Sequence, residues 1–244
     1  MKTNAEFKNE ALAALKGNWA KAVLAVLLFA LIESIVMGPY TYQTVQLQDT
    51  IQSQMAGLSP SRMESVLTSA DFLEAQRKAS GMSSLFTILS ILVIMPLTVG
   101  LTNAYHRLLT EKETNVSRNM FNIALDNYWH KVWGMLLMHI FISLWTLLLI
   151  IPGIIKAFSY AMTPYILEEY PELGANDAID RSRAMMHGHK FDLFYLYLGF
   201  LGWAILCLFT AGIGFLWLVP YMETAQAAFY EEVKAEYALN GGLI

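Results

Sequence analysis

Charge is what this sequence has least of. Lys, Arg, Asp and Glu make up 15% of its 244 residues, against about 25% in an ordinary soluble domain. The net charge of -4 is too small to recruit nucleic acid or a strongly acidic substrate. Cysteine is nearly missing too. Cys207 stands alone inside an apolar run, so an intrachain disulfide is excluded and the redox compartment is unmarked. Catalytic signatures are absent: no phosphate-cradling glycine loop, no nucleophile elbow, no HExxH helix. His187-Gly188-His189 resembles a metal motif, but acidic or sulfur ligands at metal spacing are lacking. No metal, cofactor or catalytic set is therefore predicted, and the chain is not read as an enzyme.

What the sequence has is apolar length. Hydrophobic residues reach 56% and gather into runs separated by polar stretches. A hydrocarbon core of roughly 30 Å needs about 20 apolar helical residues, and the runs supply about six such spans. The predicted class is all-α, a polytopic membrane helical bundle in one domain over 1–244. Span one covers 20–37 and stops at Gly38-Pro39. Span two covers 84–105. Span three covers 132–151 and closes at Pro152-Gly153. Span four, 154–167, is interrupted by Pro164. The run 193–222 exceeds one crossing and divides into spans five and six at Thr210-Ala211-Gly212-Ile213-Gly214. The first apolar run reads as a retained anchor, because Glu6 and Glu10 among Lys2, Lys8 and Lys16 do not suit a signal peptide.

Basic residues set the orientation. With six spans and the N-terminus inside, Arg62, Arg77 and Lys78 fall outside and Lys156 falls within span four. The other Lys and Arg residues fall inside. Both termini are expected in the cytoplasm. The polar stretch 41–81 is then an extracytoplasmic loop. Ser59-Pro60 opens a helix there, and Met63, Val66, Leu67 and Ala70 share a face. Gly81 suits the end of a second piece, giving a small helical cap; a disordered loop is the alternative.

An internal repeat runs through the chain. The stretches beginning at Ala13, Ile123 and Ser182 each carry an amphipathic segment, then Gly or Asn, then a lysine (Lys21, Lys131, Lys190) at the start of a span. Their apolar faces are Phe7, Ala11, Leu12 and Leu15; Met120, Phe121, Ala124 and Leu125; and Ile179, Ser182, Met185 and Met186. Such helices lie in the interfacial plane, with Trp19, Tyr128 and Trp129 as anchors and the lysines snorkelling to headgroups. Spans two, four and six each hold a proline (Pro96, Pro164, Pro220) and are the more polar members of their pairs. Three pseudo-repeats follow, with the returning spans facing inward and the outgoing ones facing lipid.

The pieces Ile151-Pro152-Gly153-Ile154, Tyr160 with Pro164, Gly188-His189-Lys190, Gly202-Trp203, Gly212-Ile213-Gly214, Pro220-Tyr221 and Phe229-Tyr230 occur in this order. Together with Leu15-Lys16-Gly17-Asn18-Trp19, they resemble the bacterial membrane family of unknown function DUF975. More distantly the chain is similar to the membrane domain of some glycerophosphodiester phosphodiesterases. The resemblance implies a bacterial inner-membrane location and six spans. It implies no catalytic residue.

Ionisable groups inside apolar runs need a partner or a purpose. Glu223 lies roughly 12 Å into span six by helical rise, and His139 lies within span three. With Tyr160 and Asn103 they form a candidate intramembrane polar site, with Thr102, Ser159 and Thr163 as further donors. Glu223 reads either as helix glue or as a contact for a substrate, a proton or a lipid headgroup. Glu33 and Lys156 fall at similar depth with opposite sign, and either pair or snorkel separately. Two functions stay open: binding or moving a small or lipid-like molecule at a polar inner face, or a non-catalytic scaffold whose protein partners the sequence does not name. Membrane lipids are the expected surroundings in both.

Overall fold

A computed structural model describes residues 1–241, and all their regular structure is helical. The elements are α1 (Asn4–Leu15), α2 (Trp19–Met55), α3 (Pro60–Leu67), α4 (Ala70–Thr110), α5 (Val116–Leu125) and α6 (Tyr128–Leu148). There follow α7 (Ile150–Ser159), α8 (Thr163–Glu169), α9 (Ala175–Met185), α10 (Lys190–Leu198), α11 (Leu201–Phe209) and α12 (Phe215–Leu239). Five helical stretches are long and apolar enough to cross a membrane: 19–53, 72–110, 128–148, 150–169 and 190–209. The chain forms two compact units, one of residues 30–94 and one of 1–29 with 95–244.

In the unit of residues 30–94, two expected breaks do not occur. The helix of span one does not stop at Gly38-Pro39; α2 passes through Pro39 to Met55. Likewise α4 runs through Gly81 without ending. A proline inside a helix removes one backbone bond, whereas a helix end leaves four groups unsatisfied on each side. Thr41, two residues after the proline, donates from Oγ1 to the Gly38 carbonyl at 2.8 Å. The stretch 41–81 is therefore helical mainly as extensions of two long helices. Only α3, opened by Ser59-Pro60 as expected, is a separate piece. Tyr40 of α2 and Phe86 of α4 pack at 6.4 Å between ring centroids.

The larger unit holds the core, which is centred on Phe7, Met135, Tyr165, Met186, Leu196 and Phe229. Glycine hairpins organise it. Span three ends at Leu149, whose extended backbone (φ -158, ψ 140) separates α6 from α7. The break thus comes three residues before Pro152, because proline is tolerated in the first turn of a helix, where its missing N–H costs nothing. Gly153 rests on Thr146: a β-carbon there would lie 2.2 Å from Thr146 Oγ1. The turn at 210–214 between α11 and α12 is where the sequence places it. There Gly214 rests on Cys207 in the same way, at 2.7 Å from Sγ. Both glycines sit seven positions after the residue they touch, and each lets two helices close to backbone contact.

The short helices α1 and α5 precede the long helices α2 and α6, and α9 precedes the helical stretch 190–209. A left-handed residue makes each junction: Gly17 (φ 81), Asn127 (φ 43) and Gly188 (φ 93). Their apolar faces are spent on protein contacts. Phe7, Ala11 and Leu15 of α1 are fully buried, and α1 packs on α12. Met120 and Ala124 of α5 are buried while Leu125 is exposed, and all four residues read from α9 are buried. Burying a Phe or Leu side chain stabilises by about 1.5–3 kcal/mol relative to exposure in water, so a protein neighbour satisfies these faces. In the apolar window of 150–169, 44% of residues are buried, against 28% in that of 128–148. The second member of this pair is the more buried.

Candidate functional site

The polar residues of the core gather around the gap between α7 and α8. Pro164 sits in the first turn of α8, and residues 160–162 carry the chain out of α7. A gap of this kind frees backbone groups that need partners in a dry interior. Three other elements supply them. Asn103 of α4 donates from Nδ2 to the Pro164 carbonyl at 2.9 Å, and also to its own helix at Val99. Ser182 of α9 donates to the Ser159 carbonyl at 3.0 Å and accepts from the Met162 amide at 3.1 Å. Gln226 of α12 donates to the Ala161 carbonyl at 3.4 Å, and its carbonyl oxygen accepts from the Tyr197 hydroxyl.

Glu223 lies one turn before Gln226 on α12. It is half-buried, and its Oε2 accepts from Thr102 Oγ1 of α4 at 3.0 Å. Tyr105, Tyr165 and Tyr197 lie within electrostatic reach of the carboxylate. Among the described residues no Lys, Arg or His forms an ion pair with it; the pairs formed involve other carboxylates. The hydroxyls of Thr163 and Tyr165 are buried without a protein partner. Around Glu223, the seam thus keeps hydrogen-bonding capacity that the protein itself does not use.

Not all the residues read from the sequence join this seam. Asn103, Thr102 and Glu223 do. Ser159 is buried and bonds back to Ile155, while its carbonyl takes the Ser182 hydroxyl. Tyr160 is buried at the gap, 5.9 Å from the Lys156 ammonium. His139 does not join: it is on the exposed face of α6, bonded through Nδ1 to the Met135 carbonyl at 2.7 Å. Apolar runs hide which face a lone polar residue occupies, and here the face is the outer one. Lys156 lies 4.6 Å over the Trp145 ring, a cation–π contact that holds its charge without a carboxylate. Glu33 is exposed on α2, in the other unit.

A second polar cluster, absent from the sequence reading, follows further along α8 and α12. Tyr165 and Tyr230 stack at 4.5 Å, with the His106 ring edge-on to both. His106 Nε2 meets Glu231 at 2.7 Å, and Glu169 takes the Tyr230 hydroxyl and the Lys234 ammonium. Lys131 corrects the sequence most sharply. Expected to snorkel, it is fully buried instead, bonded to the carbonyls of Ile123 and Asp126 and paired with Glu168 at 2.6 Å. Glu168 also holds Arg107 at 2.8 Å. The signal was Glu168 itself, an acid directly after the apolar run of span four. Lys8 has a different task, donating at 2.7 Å to the Gly199 carbonyl where α10 ends. Burial there lowers its ammonium pKa.

Among the described residues no three His, Cys, Asp or Glu side chains converge as a metal ion would require. No curated protein and no solved structure matches the chain. Residues 146–237, which include the gap, both glycine hairpins and Glu223, match the family of proteins of unknown function DUF975.

Proposed function

We propose that this is a six-span protein of the bacterial inner membrane, with both termini in the cytoplasm, that binds or moves a small or lipid-like molecule at the polar seam around Glu223. One observation carries the reading: a half-buried carboxylate in the interior of α12, with a single hydroxyl donor and, among the described residues, no cation paired to it. A carboxylate kept only as helix glue would be expected to have its acceptor sites filled by protein donors. The buried hydroxyl of Tyr165, within electrostatic reach of Glu223, and that of Thr163 at the start of α8 have no partner among the described residues. On this reading α12 is the sixth span, and its polar residues keep it from resembling the other five. The three left-handed junctions and the paired glycine hairpins support an arrangement in three repeats.

The test is labelling with an apolar carbodiimide, which reaches carboxyls from the lipid phase. Wild-type protein in native membranes should be modified at Glu223, and a lipid extract supplying the guest should slow that reaction. Glu223→Gln should abolish labelling while leaving the melting temperature within a few degrees. Labelling unaffected by any extract, together with full cellular function of Glu223→Gln, would favour a scaffold. Orientation is checked separately with single cysteines at positions 4, 61, 115 and 240 in a Cys207→Ala background. An impermeant reagent added to intact cells should label position 61 alone.

A further inference from the structure

We infer that the furrow between α7 and α10 is a binding site for one anionic phospholipid, with its phosphate at Lys190 and an acyl chain along the isoleucines of α7. This rests on the membrane reading above but not on the role of Glu223. The furrow has a volume of about 510 Å³. One wall is Ile151, Ile155 and Phe158 of α7; the other is Phe194 of α10; and Lys190 with His187 closes one end. Phe158 and Phe194 meet edge-on at 6.0 Å, which forms the floor where the two helices touch.

Length and charge both select the occupant. From Ile151 to Phe158 the helix rises about 10 Å, and from Phe194 back to Lys190 about 6 Å. The sum, about 16 Å, matches the hydrocarbon depth of one leaflet of a bilayer roughly 30 Å thick. The walls are apolar along that whole length and the charge is confined to one end. Lys190 is half-buried and joins no ion pair among the described residues. The acids near it are already engaged: Asp192 faces His189 at 3.3 Å, Glu236 faces the other nitrogen of the same ring at 3.2 Å, and Asp180 holds Arg183 at 3.0 Å. A cation left unpaired beside an apolar channel attracts a headgroup phosphate, whereas a zwitterionic lipid offers no net charge in return. Of the two lysines given equivalent roles by the sequence, Lys131 is paired with Glu168, whereas Lys21 keeps its charge and donates to the neutral Thr114 hydroxyl at 2.9 Å; Lys190 is the one that lines the apolar furrow.

The membrane reading is tested first and alone. Protein that an alkaline carbonate wash removes from membranes overturns it, whatever the lipid result. Detergent-purified protein is then given phosphatidylglycerol or phosphatidylcholine with identical acyl chains, and retention is read by native mass spectrometry. One phosphatidylglycerol should be retained about five-fold better than phosphatidylcholine, the preference expected of a single lysine near a headgroup. Lys190→Gln should erase that preference, and Ile155→Trp, which fills the furrow and keeps the charge, should lower retention of both lipids. Lys78→Gln, on an exposed lysine paired with Glu74, should change nothing. Equal retention of the two lipids by the wild type, an unchanged preference in Lys190→Gln, or displacement of the lipid by soluble glycerol phosphate would each overturn the site.

Discussion

Residues 30–94 and 146–237 are built from similarly apolar helices, yet they use their polar residues in opposite ways. In 30–94 no described residue is buried, and side-chain hydrogen bonds join residues three or four positions apart, as in Ser34 to Ala30, Ser80 to Gln76 and Thr87 to Ser83. Its ion pair, Lys78 with Glu74, is also one turn apart. In 146–237 the polar side chains bridge helices, as when Ser182 holds the gap between α7 and α8 and Gln226 joins Tyr197 to Ala161. Apolar length alone makes a helix. A defined arrangement of helices needs small residues for close approach and polar residues that reach across.

The largest expected effect breaks a bridge of the second kind. Lys131→Met should destabilise by about 3–5 kcal/mol, since it leaves Glu168 short of a cation and takes the lysine donor from the buried Ile123 carbonyl and the partly buried Asp126 carbonyl. Thermal unfolding in detergent measures this. A loss below about 1 kcal/mol would mean that the buried pair does not hold the larger unit together.

The sharpest contrast uses one helix and one substitution. Gly100→Ala would place a β-carbon 2.2 Å from the Met120 carbonyl oxygen, and backbone cannot easily give way. It should cost about 1–3 kcal/mol. Gly81→Ala, on the same α4, meets nothing within 4 Å. It should be neutral or stabilise by up to about 1 kcal/mol through helix propensity. Similar losses at both positions would erase the distinction between the unit of residues 30–94 and the unit that holds the core.

The smallest effect is local to α1. Its capping box joins Thr3 and Glu6: the Thr3 amide and hydroxyl both donate to Oε2 of Glu6, at 2.6 and 2.7 Å. These bonds hold the Glu6 carboxyl below its ordinary value of 4.5. A depressed carboxylate contributes stability above the ordinary value and loses it as pH falls through the depressed one. With the intrinsic pH dependence of exchange divided out, the protection of amides in the first turn of α1 should therefore fall as pH drops below the ordinary carboxyl value of 4.5. The side chains that fix α1 to the core, Phe7 and Leu15, do not titrate, so exchange at its last turn should change less. In Thr3→Ala this pH dependence should be absent.

Legibility followed the range of the physics. The turn at 210–214 was readable because glycine in a left-handed conformation is a local requirement. The helix opened by Ser59-Pro60 was readable for a similar local reason. Continuity through Pro39 and Gly81 was not, because ending a helix depends on partners for its freed groups, which sequence spacing does not reveal. Asn103 and Glu223 were marked by polarity in apolar runs, but His139 carried the same mark and lies on the outside of its helix.

By itself, then, the sequence determined an all-helical chain with apolar stretches of bilayer length, and most of the positions at which those stretches are punctuated. These follow from composition and from backbone preferences acting within a few residues. Only the tertiary structure decided which lysine is buried, which is paired and which is free. The lysines at the starts of α6 and α10 differ in what the described residues bring to them: Glu168 reaches Lys131, and no described carboxylate reaches Lys190. Charge pairing across long sequence separation depends on packing geometry, which no local pattern encodes.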